Sequence, residues 1–429
     1  MKKILIISVG GSPEPIVNAI NFYKPDFVYF FCSSGQKGSA ITIDEPGEPC
    51  GNKSKSKCPK CGYEYYLGNP KGKAVVFQVG LSKDKYEIIS VDDPDNLNLC
   101  YSTLVNLSTS LKTIYPEAQI IANYTGGTKT MSAAMALVGI MTEEWDLSLN
   151  KGPRLDIIKI KGGDIPVVIN KWQIFAEQSL ESAVKTLDNY DYALVNAIIS
   201  GLLSHPFEPS FERRLLRARQ LCVAFDCWDK FEHEKALELL QTYDKDFFAY
   251  IIPLKRILRK TKATGYTGYE LVGDLLNNAE RRATQRRYDD AIARLYRATE
   301  LFAQIRIEKT KGYKLGKLTL KELDEELRPE YSKYMKENDR LLLGLREDYE
   351  LLYKMKDPIG NEFKENEGSL LEALKYRNSS ILAHGIIPLK EEDYNFVNER
   401  LKGFILKAAK KIDLHLELKQ LPKGEIIKS

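Results

Sequence analysis

Between residues 1 and about 175, short apolar runs alternate with segments of helical spacing. The runs at 2–9, 26–32, 74–80, 86–92, 118–124 and 155–161 are rich in Ile, Val and Phe and mostly uninterrupted by polar positions. That is the pattern of strands buried on both faces. Residues 14–23, 96–114 and 128–141 have the 3.6-residue period of helices between them. The predicted architecture is an α/β domain with a mostly parallel sheet. Residues 44–72 break the rhythm with Gly, Pro and Lys and read as an insertion.

Beyond residue 175 the strand signal stops. Segments 179–203 and 233–258 have helical spacing, and 262–268, with two Gly among Thr and Tyr, reads as a linker. The last third is helical too. Its strongest element is expected at 279–307, where Tyr288, Ala291, Ile292, Leu295, Ala298, Thr299, Phe302 and Ile305 share one face. Arg281, Arg282, Arg286, Arg287, Arg294 and Arg297 crowd the other faces, as a solvated surface or as contacts for an RNA backbone. The division is therefore an α/β domain over 1–175, an all-α layer over 176–265 and an all-α domain over 266–429.

One stripe in the last domain breaks the apolar rule. In Arg-Asn-Ser-Ser-Ile-Leu-Ala-His (377–384), a single helix would align Arg377 and His384 with Leu370, Leu374 and Ile381, because the steps alternate four and three. An unpaired buried Arg is costly, so such a stripe fits an anionic ligand or a symmetry mate. The plainer alternative is a surface Arg beside a hydrogen-bonded His.

Composition narrows the classes. The chain has 429 residues, 43% hydrophobic and 28% charged, which is ordinary for a globular protein of two or three domains. Its net charge of +4 is too mild for the whole-protein field to imply a nucleic-acid partner. The first apolar run is only a strand long and ends in Gly-Gly, so neither secretion nor a membrane anchor is expected. Seven Cys, an odd number, fit reduced thiols in a cytoplasmic protein.

Two glycine turns follow predicted strands: Gly10-Gly11-Ser12, and Asn123-Tyr124-Thr125-Gly126-Gly127-Thr128-Lys129 before a helix. Glycines there admit a close ligand, and the N–H groups of a helix start favour phosphate. Two such turns on one edge of a parallel sheet describe a nucleotide crevice, although neither has Walker or Gly-x-Gly-x-x-Gly spacing. The alternative is that the glycines only shape the turns.

At these residues the chain resembles the CARF domain, a CRISPR-associated Rossmann-like sensor of cyclic oligoadenylates. Residues 288–304 (YDDAIARLYRATELFAQ), with Arg377, Asn378 and His384, resemble the HEPN ribonuclease domain. Together they are similar to the ancillary ribonucleases of type III CRISPR systems. The resemblance implies a homodimeric, metal-independent endoribonuclease acting on single-stranded RNA and activated by a cyclic oligoadenylate, with cyclic tetra-adenylate the expected ring.

In that reading Gly10, Gly11, Ser12, Asn123, Thr125, Gly126, Gly127, Thr128 and Lys129 hold the ring, with Ser12 and Asn123 on ribose or adenine. Arg377, Asn378 and His384 cleave RNA by attack of the ribose 2′-OH, leaving a 2′,3′-cyclic phosphate. Some members of the family also cleave their ring in the sensor pocket, but no His precedes residue 205 to act as base there. A regulator that binds nucleic acid or a partner without cutting is the second reading.

Cys58-Pro-Lys-Cys61 is half of a zinc ribbon, and Cys50 is a third thiol within reach. A structural zinc and a flexible hairpin of free thiols are both compatible with this spacing. Cys222 and Cys227 read as core residues of the helical layer.

Overall fold

The structure is a computed structural model that describes residues 1–35, 38–50, 54–57, 61, 64–67, 72–152, 164–259, 265–336, 339–383, 385–416 and 419–428. Residues 54–57, 64–67 and 428 are described by their backbone. The chain divides into two compact units, 1–178 and 179–429.

The first unit is the expected α/β sandwich. Its elements run β1 (Lys3–Ser8), α1 (Glu14–Tyr23), β2 (Phe27–Ser33), α2 (Ile41–Asp44), β3 (Ser54–Lys57), β4 (Glu64–Leu67), α3 (Val75–Val79), β5 (Tyr86–Val91), α4 (Leu97–Ile114), β6 (Gln119–Asn123), α5 (Lys129–Met141), β7 (Trp145–Lys151) and β8 (Ile165–Val168). The six-stranded sheet has the order β5-β2-β1-β6-β7-β8, parallel except for the β7–β8 pair. Apolar clusters fill both faces, with Ile4, Ile6 and Trp145 on one and Leu5, Ile7 and Phe30 on the other. This is why the strands read as unbroken apolar runs.

One strand expectation changes, one is untested, and one strand was not expected. The run 74–80 forms helix α3, which buries Val75 and Val76, exposes Phe77 and stops at Gly80 in the left-handed region (φ 67°). The apolar run is too short for its period to tell a strand from a helix turn. The run 155–161 lies outside the described residues. Strand β7 goes unnoticed in the sequence because Asp146, Ser148 and Asn150 interrupt its apolar positions, yet Ser148 and Asn150 are buried. Lys171, also buried, donates to the carbonyls of Gly139 (3.0 Å) and Glu143 (3.1 Å) at the end of α5, and burial pulls its amine down to about 8.

The second unit is helical. Helix α6 (Trp172–Leu187) leads into α7 (Tyr192–Leu202), α8 (Pro209–Asp229), α9 (His233–Gln241) and α10 (Asp244–Ile257). Then follow α11 (Glu270–Thr284), α12 (Tyr288–Lys311), α13 (Arg328–Tyr331), α14 (Leu345–Lys354), α15 (Pro358–Ser379), α16 (Glu391–Lys410) and α17 (Glu425–Lys428). The element expected at 279–307 is thus two helices: the chain turns at Arg286, whose φ is 59°, and α11 and α12 pack as a hairpin. The apolar face of α12 is buried as read, with Ile305 at its edge.

The arginines are the larger correction. Arg281 is fully buried and Arg282 nearly so, and neither belongs to a solvated face or an RNA-binding stripe. Arg281 Nε donates to Asp229 Oδ1 (2.7 Å), its Nη1 to Gln420 (2.7 Å), and its Nη2 lies 3.7 Å from Asp274. Arg282 pairs with the other Asp229 oxygen. Asn278 Nδ2 donates to Asp229 Oδ1 (2.8 Å), and Asp274 also bonds Trp228 Nε1 (3.2 Å) and His233 Nε2 (2.8 Å). Burying these charges is tolerated because each faces an opposite charge, although Arg281 Nη2 and Arg282 Nε are left without a hydrogen-bond partner.

Among the described residues no helix is long and apolar enough to cross a membrane. Removing one member of the network should be costly. Asp229→Ala strands two buried guanidinium groups and is expected to cost about 3–5 kcal/mol, read as a lower urea midpoint. A surface pair such as Lys235–Glu232 should cost under about 1 kcal/mol when broken.

Candidate functional site

The first site lies at the carboxyl end of the parallel strands. A cleft of about 880 Å³ is lined by Gly10, Gly11 and Ser12 from the first turn, and by Gly127 and Thr128 from the second. Gly10 and Gly126 are glycines because the two turns almost touch. A Cβ on Gly10 would lie 2.9 Å from the Gly127 nitrogen, and one on Gly126 would run into the Ser8 carbonyl. Gly127 has φ of 87°, a left-handed conformation that favours glycine. Gly11 is different: a Cβ there would meet nothing within 4 Å, so its smallness leaves room over the cleft.

The polar residues of the second turn divide into framework and free groups. Asn123 is fully buried and its amide is spent inside the fold. It donates to Ser148 Oγ (3.1 Å) and Asn150 Oδ1 (3.0 Å), and accepts from the Thr125 hydroxyl (2.7 Å) and N–H (3.1 Å). Asn123 and Thr125 therefore shape the turn, and the expected contact of Asn123 with ribose or adenine has no donor or acceptor left to make it. Thr128 caps α5, accepting from Met131 N–H (3.2 Å) and donating to the Pro94 carbonyl (2.7 Å). Lys129 is exposed at the first residue of α5, and Ser12 is exposed on the other turn. Of the two, Ser12 lines the cleft beside the Gly127 and Thr128 N–H groups, and Lys129 follows them at the helix start without lining it.

The structure adds a third wall that sequence reading missed. Ser33, at the end of β2, and Gly38, Ser39, Thr42 and Cys50 after it line the same cleft. The available signal was Ser33-Ser34-Gly35, a third small polar turn at the end of an apolar strand. The Cys50 thiol donates to the Thr42 carbonyl (3.4 Å). Cys61 is exposed, Cys58 lies outside the described residues, and no group of three metal-ligand side chains is gathered among the described residues. Cys32, at the end of β2, is fully buried, and burial raises its thiol to about 12. Cys222 and Cys227 are buried in α8 as expected of core residues.

The second site is built around Arg377, and the structure corrects the single stripe expected there. Helix α15 ends at Ser379, so the helix does not carry Ile381, which is 69% exposed. Leu370 and Leu374 are buried on α15 as read. The reason is local. Ser379 and Ser380 turn their hydroxyls back onto the carbonyls of Tyr376 (2.8 Å) and Arg377 (2.9 Å), competing with the next helical turn. The chain then folds back, with Ile387 N–H on the Ser379 carbonyl (3.2 Å). Gly385 sits so close to that carbonyl that no Cβ would fit. His384 lies outside the described residues.

Arg377 is half-buried in the last turn of α15, its guanidinium 4.7 Å from the centre of the Tyr296 ring on α12. Its Nη1 donates to the side-chain oxygen of exposed Asn378 (3.3 Å). Among the described residues Arg377 has no carboxylate partner. Around residue 384, Ile381, Leu382, Ile386 and Ile387 are all exposed. Asp348 of α14, whose charge acts on Tyr296, is fully buried; burial, and then Glu300, push its carboxyl well above the usual range. Sequence reading singled out neither Tyr296 nor Asp348, since each differs from its neighbours only in what the fold puts beside it.

Residues 260–407 match the family described as the Csm6 HEPN domain. Csm6 of Enterococcus italicus, in a solved structure bound to cyclic hexa-2'-fluoro-hexa-dAMP, shares the fold of the whole chain. The TM-score is 0.59 at 14% identity, covering 100% of this chain and 98% of that one. No curated protein matches the chain.

Two outcomes follow from the geometry. Gly126→Ala should lower stability by about 1–3 kcal/mol, whereas Gly11→Ala should stay within about 0.5 kcal/mol of the parent, both read by chemical denaturation. For Asp348, a raised folded pKa means the native state keeps a proton that the unfolded chain loses above its ordinary value of 3.8. Stability from this group is full below that value and falls as pH rises towards the folded pKa. Asp348→Asn should therefore melt higher than the parent at pH 8, with the gap closing towards pH 4.

Proposed function

We infer that this CARF–HEPN protein, with its Csm6 HEPN domain over residues 260–407, is a CRISPR endoribonuclease switched on by a cyclic oligoadenylate and cutting single-stranded RNA without a metal. The observation that carries this reading is Arg377 itself. A half-buried guanidinium with no carboxylate partner among the described residues stands beside Asn378, on the turn that leads to His384. A cation left unneutralised, an amide and an imidazole are the groups that cleavage through a ribose 2′-OH requires.

The step balances within the RNA. The 2′-oxygen attacks the adjacent phosphorus as His384 takes or directs its proton, and the P–O5′ bond breaks. The leaving oxygen is protonated, giving a 2′,3′-cyclic phosphate and a 5′-hydroxyl. Arg377 stabilises the extra negative charge on the pentacoordinate phosphorus with its planar fork of donors. Asn378 holds the phosphate or the imidazole by hydrogen bonds. DNA lacks the nucleophile and is not cut.

The active form is a homodimer. Ile381, Leu382, Ile386 and Ile387 form an apolar rim that water covers poorly and a second copy would bury, bringing two Arg377–His384 segments together. In the sensor unit, Lys129, Ser12 and the N–H groups at Gly126 to Thr128 hold the phosphates of the ring, with Gly11 leaving room for it. Two copies of this cleft suit a ring of even symmetry. Cyclic tetra-adenylate is the expected activator, and the six-membered analogue held by the E. italicus protein makes cyclic hexa-adenylate the alternative to test. Activation requires only that the ring bind the cutting arrangement more tightly than the resting one.

The test uses full-length protein, fluorescent single-stranded RNA, and each ring in turn. Cleavage should appear only with a ring and fall by at least about 100-fold in Arg377→Ala and in His384→Ala, while calorimetry shows both variants still binding the ring. Ring binding without cleavage by the parent protein would instead favour a regulator that does not cut. Cleavage of the ring on incubation without RNA would add a second activity in the sensor cleft.

A further inference from the structure

We infer that Tyr296 is a positioning residue of the RNA-cleaving site, whose ring is the shelf that orients the Arg377 guanidinium without neutralising it. The inference rests on the assignment of Arg377 to that site.

An arginine that must meet a developing negative charge has two needs that conflict. It must be held in one orientation, and its N–H fork must stay free of any carboxylate. A carboxylate partner satisfies the first need and defeats the second, because it fills the donors and cancels the charge. An aromatic face does otherwise: its quadrupole attracts the cation from one side and leaves the in-plane donors open. Arg377 lies 4.7 Å from the centre of the Tyr296 ring, inside the range of that attraction. Tyr296 is itself steadied by packing against the buried core of the helical unit.

The acids around Tyr296 are arranged so that none captures Arg377. Three carboxyl groups act on its phenol: Glu300, Asp348 and Glu347. Glu300 is taken by Arg297, at 2.6 Å. Glu347 turns back to accept from the Gly344 N–H at 3.1 Å. Asp348 is fully buried, where a carboxyl group avoids charge. Burial, with Glu300 next, also raises the phenol of Tyr296, so the ring stays neutral across the working pH range and does not become an anion that would pair with Arg377.

The test compares Tyr296→Phe, Tyr296→Leu and Arg377→Ala in the full-length protein, each with cyclic tetra-adenylate and with cyclic hexa-adenylate, on fluorescent single-stranded RNA. Phe keeps the π face and should stay within about twofold of the parent. Leu removes it and should lower kcat by about 10- to 100-fold, with KM and melting temperature near the parent's, as for a misplaced charge-stabilising group. If Leu at this half-buried position prevents a cooperative melt, Tyr296→Met supplies the same comparison.

Parent-like kcat in a folded Leu or Met variant, with Arg377→Ala inactive, overturns the shelf. So does a Phe variant as impaired as Leu, which would transfer the role to the hydroxyl. Full cleavage by Arg377→Ala, or none by the parent, overturns the placement of the cleaving site and this inference with it.

Discussion

The buried charge network around Asp229 sets the geometry of the helical unit. Asp229 ends α8 and holds Arg281, Arg282 and Asn278 of α11; Asp274 of α11 reaches back to Trp228 and His233. Arg294 of α12 extends the chain through Asn278 and through Asp290 at 2.9 Å. Charges in a low-dielectric interior tolerate little displacement, because a shifted partner leaves an uncompensated ion. The network therefore fixes α11 against the helical layer before it, and α12 follows through the tight turn at Arg286. Helix α12 carries Tyr296, so the shelf beneath Arg377 inherits its position from ion pairs elsewhere in the unit.

The same logic of occupied and unoccupied groups governs both sites. On the α/β unit, Asn123, Thr125, Ser148 and Asn150 satisfy one another and brace the second glycine turn, while Ser12, which lines the cleft, and Lys129 remain exposed. On the helical unit, Glu362 is fully buried between Lys407 (2.7 Å) and Lys411, pinning α15 to α16, and Tyr349 stacks on Phe363 with ring centres 4.4 Å apart to pin α14 to α15. Arg377 projects from the end of that braced helix, and among the described residues no carboxylate holds it. Rigid support beneath and unsatisfied donors above are what a binding or cleaving site needs, since reorganisation at the moment of reaction is then small.

The line between legible and illegible residues has a physical basis. Strands β1, β2, β5 and β6, and helices α1, α4 and α5, were readable because burial on both faces, or on one stripe, imposes a period on the chain itself. Strand β7 was not, because its polar residues pair with Asn123 from a neighbouring strand, and that partnership leaves no periodic trace. The run 74–80 is too short for period to decide. Arg281 and Arg282 looked like surface residues because a sequence shows a charge but not the counter-charge, here some fifty residues earlier.

By itself the sequence determined that this chain joins a parallel α/β domain to a helical one. It also placed two glycine turns at strand ends and put Arg377, Asn378 and His384 within one short segment. These follow from local spacing and from which residues can occupy a buried face. Tertiary structure alone decided which glycines are required by contact and which leave space, and that Asn123 is framework. It alone ended the helix at Ser379 and set Arg377 on an aromatic ring instead of a carboxylate. Each of those outcomes depends on a partner distant in the chain, and the energy of a buried polar group lies in that partner.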